Sequence, residues 1–362
     1  MSVVTPRERV LTAWRGGMPD RVPVAIWHTR LFPPDYPPLL EAEVCIIVRS
    51  DVYRVEHEGV QTESKQWTDH DGNEHVRTVY HTRAGDVQTA SAFWPAHATT
   101  WVTEWPFKTP DDYGPLIELV ASRRFVPTYD QFVRDDARHG PQSIGRPAPL
   151  RTPMFEIMYE LMGVEMFCTQ LADKPDAMDA LYEALLAKRR EALAVVADSP
   201  AQYAVIEGNI SFDIVGPQRF DRYYLPAIEE ACDLLHKRGM LAAAHLDGNN
   251  RAMAGLIGRT SLDVIEAFTP PPDCDLALGE ARRLWPDKAI HLNFPSSLHL
   301  RGLGAVVDAA RGLLAEAVPG DRFVMGLTED TPTNEYFVPL ARVVRDEGKT
   351  PLTGAARSLG PV

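Results

Sequence analysis

Five short apolar runs in this 362-residue chain end on groups that can do chemistry. "AVIEGN" ends with Glu207 and Asn209, "LAAAHLDG" with His245 and Asp247, and "LDVIEAF" with Glu266. "AIHLNF" carries His291 and Asn293, and "FVMGLTED" finishes on Thr328, Glu329 and Asp330. Residues two apart on a strand point to the same side, so His245 and Asp247 can share a centre, as can Glu207 and Asn209. A carboxylate such as Glu266 inside an apolar strand is costly unless it is paired or bound to a metal. Groups gathered in this way could hold a divalent cation, move protons, or bind an organic substrate by hydrogen bonds. Plainer readings stand beside these. Asp247 before Gly248 and Asn249 fits a turn that caps the next helix, and His245 fits a satisfied core histidine.

The elements that must position these residues follow from periodicity. From about residue 110, apolar runs alternate with amphipathic helices at least four times, the sign of a parallel sheet built of β/α units. About eight such units fit the length, so an α/β fold of the (β/α)8 TIM-barrel type is expected over a doubly wound sheet. No GxGxxG follows any of the runs, which also disfavours dinucleotide binding. In such a barrel the C-terminal strand ends form the active-site rim, so the five ends would face one mouth. Ahead of this region, "TPRERVLTAWRGG" reads as a short helix with Thr5 as N-cap and Pro6 at its first position. Residues from about 52 to 105 alternate in the strand period, with turns at Asp71-Gly72-Asn73 and Ala84-Gly85-Asp86. They predict a β-hairpin or meander inserted near the N-terminus of a single domain spanning 1–362. His70, His75 and His81 fit a polar strand face there better than a metal site. His236 and His299 fit surface positions on helices.

Composition removes several function classes. With 37 basic and 50 acidic residues, the formal net charge of -13 argues against a nucleic-acid partner. The pairs Arg123-Arg124, Arg189-Arg190 and Arg282-Arg283 read as solvated helix faces. No segment approaches about 20 uninterrupted apolar residues, so no membrane partner is expected. Four cysteines without a CxxC argue against a disulfide framework and for a reduced, cytoplasmic protein. Charges occupy the N-terminal stretch where a secretory signal would need its apolar run. Cys274, in the loop "PPPDCD", reads as incidental.

"TPRERVLTAWRGGMPDRVPV" resembles the N-terminal signature of the uroporphyrinogen decarboxylase superfamily. "PQRFDRYYLPAIEEACDLLHKRG", followed by a His-x-x-Gly strand end, is similar to the later barrel of the same superfamily. The resemblance covers most of the chain and implies an α/β barrel and, from relatives, a homodimer. True decarboxylases of the superfamily carry an arginine-rich loop of the form "MRQAGRYLPEY". Here "IWHTRLFPPDY" keeps Arg30 and the Pro-Asp-Tyr end but lacks the second arginine.

The nearer resemblance is to the corrinoid-linked zinc methyltransferase branch, where zinc deprotonates an acceptor thiol at neutral pH. That branch carries His-x-Cys at one strand end and another Cys near the last strand. "HLDG" has Asp247 in the first cysteine's place, and "VMGLTEDTP" has Met325 in the second's, with Glu329 as the nearest substitute. Glu266 lies 266 − 247 = 19 residues on, at next-strand spacing. The resemblance implies a metal-dependent methyltransferase acting on a small-molecule substrate with a corrinoid protein or folate as methyl partner. His245, Asp247 and Glu266 would hold the divalent metal, zinc first. Glu329 and Glu207 would be catalytic, and Arg30, Asn209 and Asn293 would bind substrate. Such a carboxylate-rich ligand set is harder than the thiolate one and would suit zinc, manganese or iron. The alternatives are a cofactor-free decarboxylase or lyase using Arg30, and a non-catalytic small-molecule-binding barrel. A passive binder has little need of several buried carboxylates.

Overall fold

The computed structural model of the chain describes residues 4–28, 36–95, 99–327 and 334–353. Fourteen strands run through these residues. They are β1 (Val24–Trp27), β2 (Cys45–Arg49), β3 (Tyr53–His57), β4 (Gln61–Thr68), β5 (Glu74–Thr82), β6 (Gly85–Trp94) and β7 (Thr99–Glu104), then β8 (Arg123–Pro127), β9 (Ser143–Arg146), β10 (Tyr203–Gly208), β11 (Leu241–His245), β12 (Val264–Phe268), β13 (Ala289–Asn293) and β14 (Phe323–Leu327). The chain divides into two compact units. One comprises Met1–Val52, Thr128–Leu150 and Val196–Val362, and the other Tyr53–Pro127 and Arg151–Val195.

The first unit is the expected barrel. Its eight strands pair in the order β10-β11-β12-β13-β14-β1-β2-β9, and every pairing is parallel. The two ends of the sheet meet where Leu150 N–H, four residues past β9, donates to Val205 C=O of β10 at 2.8 Å. Helices such as Leu225–Lys237 and Leu303–Glu316 return the chain between successive strands. Strands covered on both faces read as continuous apolar runs, and β11 to β14 are buried almost throughout.

One apolar cluster takes residues from all eight barrel strands, which only the interior of a closed sheet permits. It contains Ala25, Cys45, Ile47, Ile144, Tyr203, Val205, Ala243, Val264, Ala289 and Val324. Val10, Leu11, Ala13 and Trp14 of the helix Pro6–Trp14 complete it, so this helix plugs the barrel floor. Thr5 caps the helix through a capping box with Glu8, as the sequence predicts. Trp14 lies on Tyr203, the first residue of β10, with ring centroids 4.5 Å apart. Two residues further along their strands, in the same inward phase, stand Trp27, Arg146, His245, Glu266, His291 and Gly326. The lumen therefore turns from apolar to ionisable within one layer.

The second unit holds the expected insertion. Strands β4 to β7 form an antiparallel meander, and β3 pairs with β8. The unit also takes in helices between residues 151 and 195, which local pattern did not assign to it. Two basic pairs are not on solvated helix faces as expected. Arg123 lies in strand β8 and pairs with Glu156, while buried Arg189 donates to the Arg151 carbonyl at 3.0 Å. His75 Nε2 donates to the Asp69 carboxylate at 2.9 Å and its ring stacks on Trp67, in keeping with a polar strand face. No helix among the described residues is long and apolar enough to cross a membrane.

Gly326 marks how tightly the barrel layer is filled. A Cβ there would collide with the Leu292 carbonyl oxygen and the His291 ring. Gly326→Ala is expected to cost about 3 kcal/mol, because neither the strand backbone nor a fully buried ring can yield. Urea unfolding of wild type and variant measures this directly, and an unchanged midpoint would refute the packing described.

Candidate active site

Glu266 is the third residue of β12 and is wholly buried. Arg146, the last residue of β9 and itself buried, grips it with two hydrogen bonds: Nε to Oε1 at 2.9 Å and Nη2 to Oε2 at 2.7 Å. In the sheet order β10 and β11 separate these strands, so the pair is a chord across the lumen. Bidentate guanidinium–carboxylate geometry gives each buried charge the partner that water would otherwise supply. Burial alone would raise the Glu266 carboxyl, but the Arg146 charge and hydrogen bonds, followed by those of His245, hold it well below the usual carboxylate range.

His245 ends β11 beside this pair. Its Nδ1 lies 3.1 Å from Glu266 Oε2 and its Nε2 lies 3.4 Å from Asp247 Oδ2. Burial pushes the imidazolium down, but the hydrogen bonds and charges of Asp247 and Glu266 outweigh it and raise the group to about 9. The imidazole is therefore protonated at neutral pH, and both of its N–H groups face carboxylates. Trp27 joins the two cations sideways: Arg146 lies over its ring at 4.7 Å, and the His245 ring is 5.4 Å away.

Asn209 completes the rim. Its Nδ2 donates to Asp247 at 3.2 Å, and its backbone N–H donates to the His245 carbonyl at 2.9 Å. The Asn209 φ of 54° lies in the left-handed region, which asparagine tolerates better than most residues. Ala267, directly after Glu266, has φ 57°, and there β12 carries a bulge opposite β13. β10 has a second bulge between Val205 and Glu207. Bulges re-aim side chains beside active sites, and both strands flanking β11 carry one.

The expected site residues divide clearly. His245, Asp247, Glu266 and Asn209 come together. Glu207 is buried on the neighbouring strand, where its Oε1 accepts from the Gly208 backbone N–H at 2.9 Å. Asn293 is buried and donates to Thr269 Oγ1 at 3.1 Å rather than to Asp247. Arg30 and Glu329 lie outside the described residues. Cys274 is nearer the site than its loop suggested, with Sγ 3.0 Å from the Asp247 carbonyl oxygen. His299, expected on a surface, is buried against Phe294 and Tyr336.

Sequence reading missed Arg146, Trp27 and the role of His291. "SIGR" and "VAIW" do end on side chains of this buried cluster, the same signal that picked out the other strands, but both runs are short. His291 lies in register with Glu266 and is fully buried, and neither ring nitrogen has a hydrogen-bond partner among the described residues. Burial pushes it down to about 4, so it is neutral beside the charged pair.

The three expected metal ligands do not converge on one point. His245 offers opposite ring nitrogens to its two carboxylates, and both Glu266 oxygens are occupied by Arg146. His245 Nε2 and Asp247 face each other and could share an ion; Glu266 does not fit that set. Among the described residues, the group whose donor atoms do gather is Asp69, His70 and Asp71, at the turn after β4. There Asp69 already accepts from the Asp71 and Asn73 backbone N–H groups and from Asn73 Nδ2. No family model and no curated protein matches the chain.

Two measurements follow. Glu266→Gln leaves the Arg146 charge buried without a counter-charge and should cost about 3–5 kcal/mol in denaturant unfolding. His245 has its ordinary value of 6.5 when unfolded and about 9 in the fold, so the stability it contributes is complete below pH 6.5 and is lost as pH rises through about 9. Tm should fall across that window, and His245→Gln should flatten the fall; identical profiles would refute the ion-pair chain.

Proposed function

We propose that the chain is a small-molecule enzyme of the cofactor-free acid–base type, nearest in chemistry to a decarboxylase or lyase, with His245 delivering the proton. The supporting observation is the unbroken order Arg146–Glu266–His245–Asp247 at the strand ends of a barrel. Arg146 cancels the Glu266 charge, so Glu266 orients the imidazole without consuming its proton. Asp247, more exposed than His245, presents the other side of the ring towards the mouth. Loss of carbon dioxide from a substrate carboxylate leaves an electron pair on carbon; the imidazolium Nε2–H protonates it, and water restores the proton to the ring. A positioned acid of this kind contributes about 10²–10⁴-fold to a rate. Arg30 is the cation this reading assigns to a substrate carboxylate, and Asn209 holds Asp247 in place.

A second reading, metal-dependent methyl transfer with a corrinoid or folate partner, has one observation in its favour. A histidine that ligates metal through one nitrogen is usually fixed by a carboxylate on the other, and Glu266 stands at Nδ1 in that way. His245 Nε2 and Asp247 would hold the metal, which would supply Lewis acidity. Two donors are fewer than the three protein ligands usual at catalytic zinc, so Glu329 would have to join them.

Metal analysis separates the two. Protein purified without added metal should contain under about a tenth of an equivalent and gain none from zinc or manganese, as the acid–base reading requires. Stoichiometric metal that is lost in His245→Ala would instead establish the second reading. With candidate small carboxylic acids as substrates, turnover should hold steady to about pH 8 and decline through about 9, the range set by His245. In His245→Gln it should drop by at least about a hundredfold.

A further inference from the structure

The meander of the second unit ends on one side at β4, whose residues Gln61–Thr68 are all exposed. Its pairing with β5 is continuous over eight residues and has no bulge. β4 contains no proline or glycine. The opposite side of the sheet is different, because a register shift between Ala90 and Ser91 interrupts the pairing of β6 with β7. Proteins blunt free edges with bulges, prolines and charged side chains, and an edge without bulge or proline whose charges, Glu63 and Lys65, can be matched by an incoming strand is a template for that strand.

The alternation of the β4–β5 ladder shows which groups face outward. At the turn, Asp69 N–H donates to the Asn73 carbonyl at 3.0 Å, which makes those residues a hydrogen-bonded pair. Such pairs recur at every second residue of an antiparallel ladder, so Gln61, Glu63, Lys65 and Trp67 spend their backbone groups on β5. Thr62, Ser64, Gln66 and Thr68 then point their N–H and C=O groups away from the sheet. A second β4 related by a two-fold axis can use them with the axis at any residue of the strand, but at Glu63 or Lys65 two like charges would meet on the axis, and at Gln61 or Trp67 the contact would run off the strand, which leaves these four.

Charge selects among them. With the axis at Ser64, Glu63 stands opposite Lys65 of the other copy, twice over, in the non-hydrogen-bonded positions where side chains are closest. With the axis at Gln66, Glu63 would face Asp69, two acids together. An axis at Thr62 or Thr68 would run off the end of the strand. We infer that the outer edge of β4 pairs antiparallel with β4 of a second copy of this chain, about a two-fold axis at Ser64, so that the two meanders become one continuous sheet. The interface is isologous, as a two-fold dimer requires.

Sedimentation velocity of the full chain over a concentration series tests this, with variants on the exposed strand. Lys65→Glu sets two carboxylates against each other at each of the paired positions and should raise the dimer dissociation constant about tenfold or more. The double exchange Glu63→Lys with Lys65→Glu should restore it. Ser64→Pro removes the central outward N–H without touching a bond to β5 and should weaken association at least as much. Circular dichroism and Tm confirm that the variants fold. A chain that stays monomeric throughout would overturn the inference. So would a dimer indifferent to Lys65→Glu and Ser64→Pro, or a double exchange that fails to restore association.

Discussion

Two full charges, Arg146 and Glu266, are held out of water in the centre of the barrel, and each is tolerable only because of the other. A pair of apolar residues of the same volume would serve stability as well or better. What the ions provide is direction. The guanidinium fork fixes the carboxylate plane, the carboxylate fixes one nitrogen of His245, and the imidazolium then turns its other nitrogen to Asp247. Trp27 presses on both cations from the side, and neutral His291 adds no further charge below. The arrangement alternates in sign, which is how Arg146, Glu266 and His245 share so dry a space, with the more exposed Asp247 beside them.

Backbone irregularity sets where those groups stand. β11 is regular, but the strands on either side each carry an inserted residue. Left-handed Ala267 sits at the β12 bulge and left-handed Asn209 directly follows the end of β10, and neither conformation is free of cost. The left-handed turn at Ala267 follows Glu266 without a break, and the one at Asn209 brings its amide to Asp247. A barrel made of eight uninterrupted strands would give the same residues a different aim.

Much of this was legible in the sequence, for physical reasons. Strand ends announce themselves because apolar alternation stops at a polar group, and so Glu207, His245, Asp247, Glu266 and Asn293 could be found. The cost of burying Glu266 required a partner, yet its identity could not be read. Arg146 is 120 residues away and ends a four-residue strand inside a stretch of helical character. Asn293 shows the opposite limit, since a residue at the right strand end can be spent on a neighbour such as Thr269. His299, in "SSLHLR" ahead of a helix, fits a surface position by sequence, and only the fold brings Tyr336 and Phe337 over it. The meander was evident from its turns, but nothing local ties residues 151–195 to it.

In the barrel, β1 lies between β2 and β14, the earliest and the latest of its neighbours to be synthesised. While a ribosome is still making the chain, β1 has an open side, and the floor helix Pro6–Trp14 has only part of the surface it will cover. Arg146 emerges long before Glu266 and must wait, solvated, for its counter-charge. Contacts this distant in sequence are slow to form, and a nascent chain spends that interval with apolar strands uncovered. The buried ion pair thus becomes possible once β12 is made, but the sheet around it closes only with β14, and a chain ended between the two would carry the charges without the barrel that shields them.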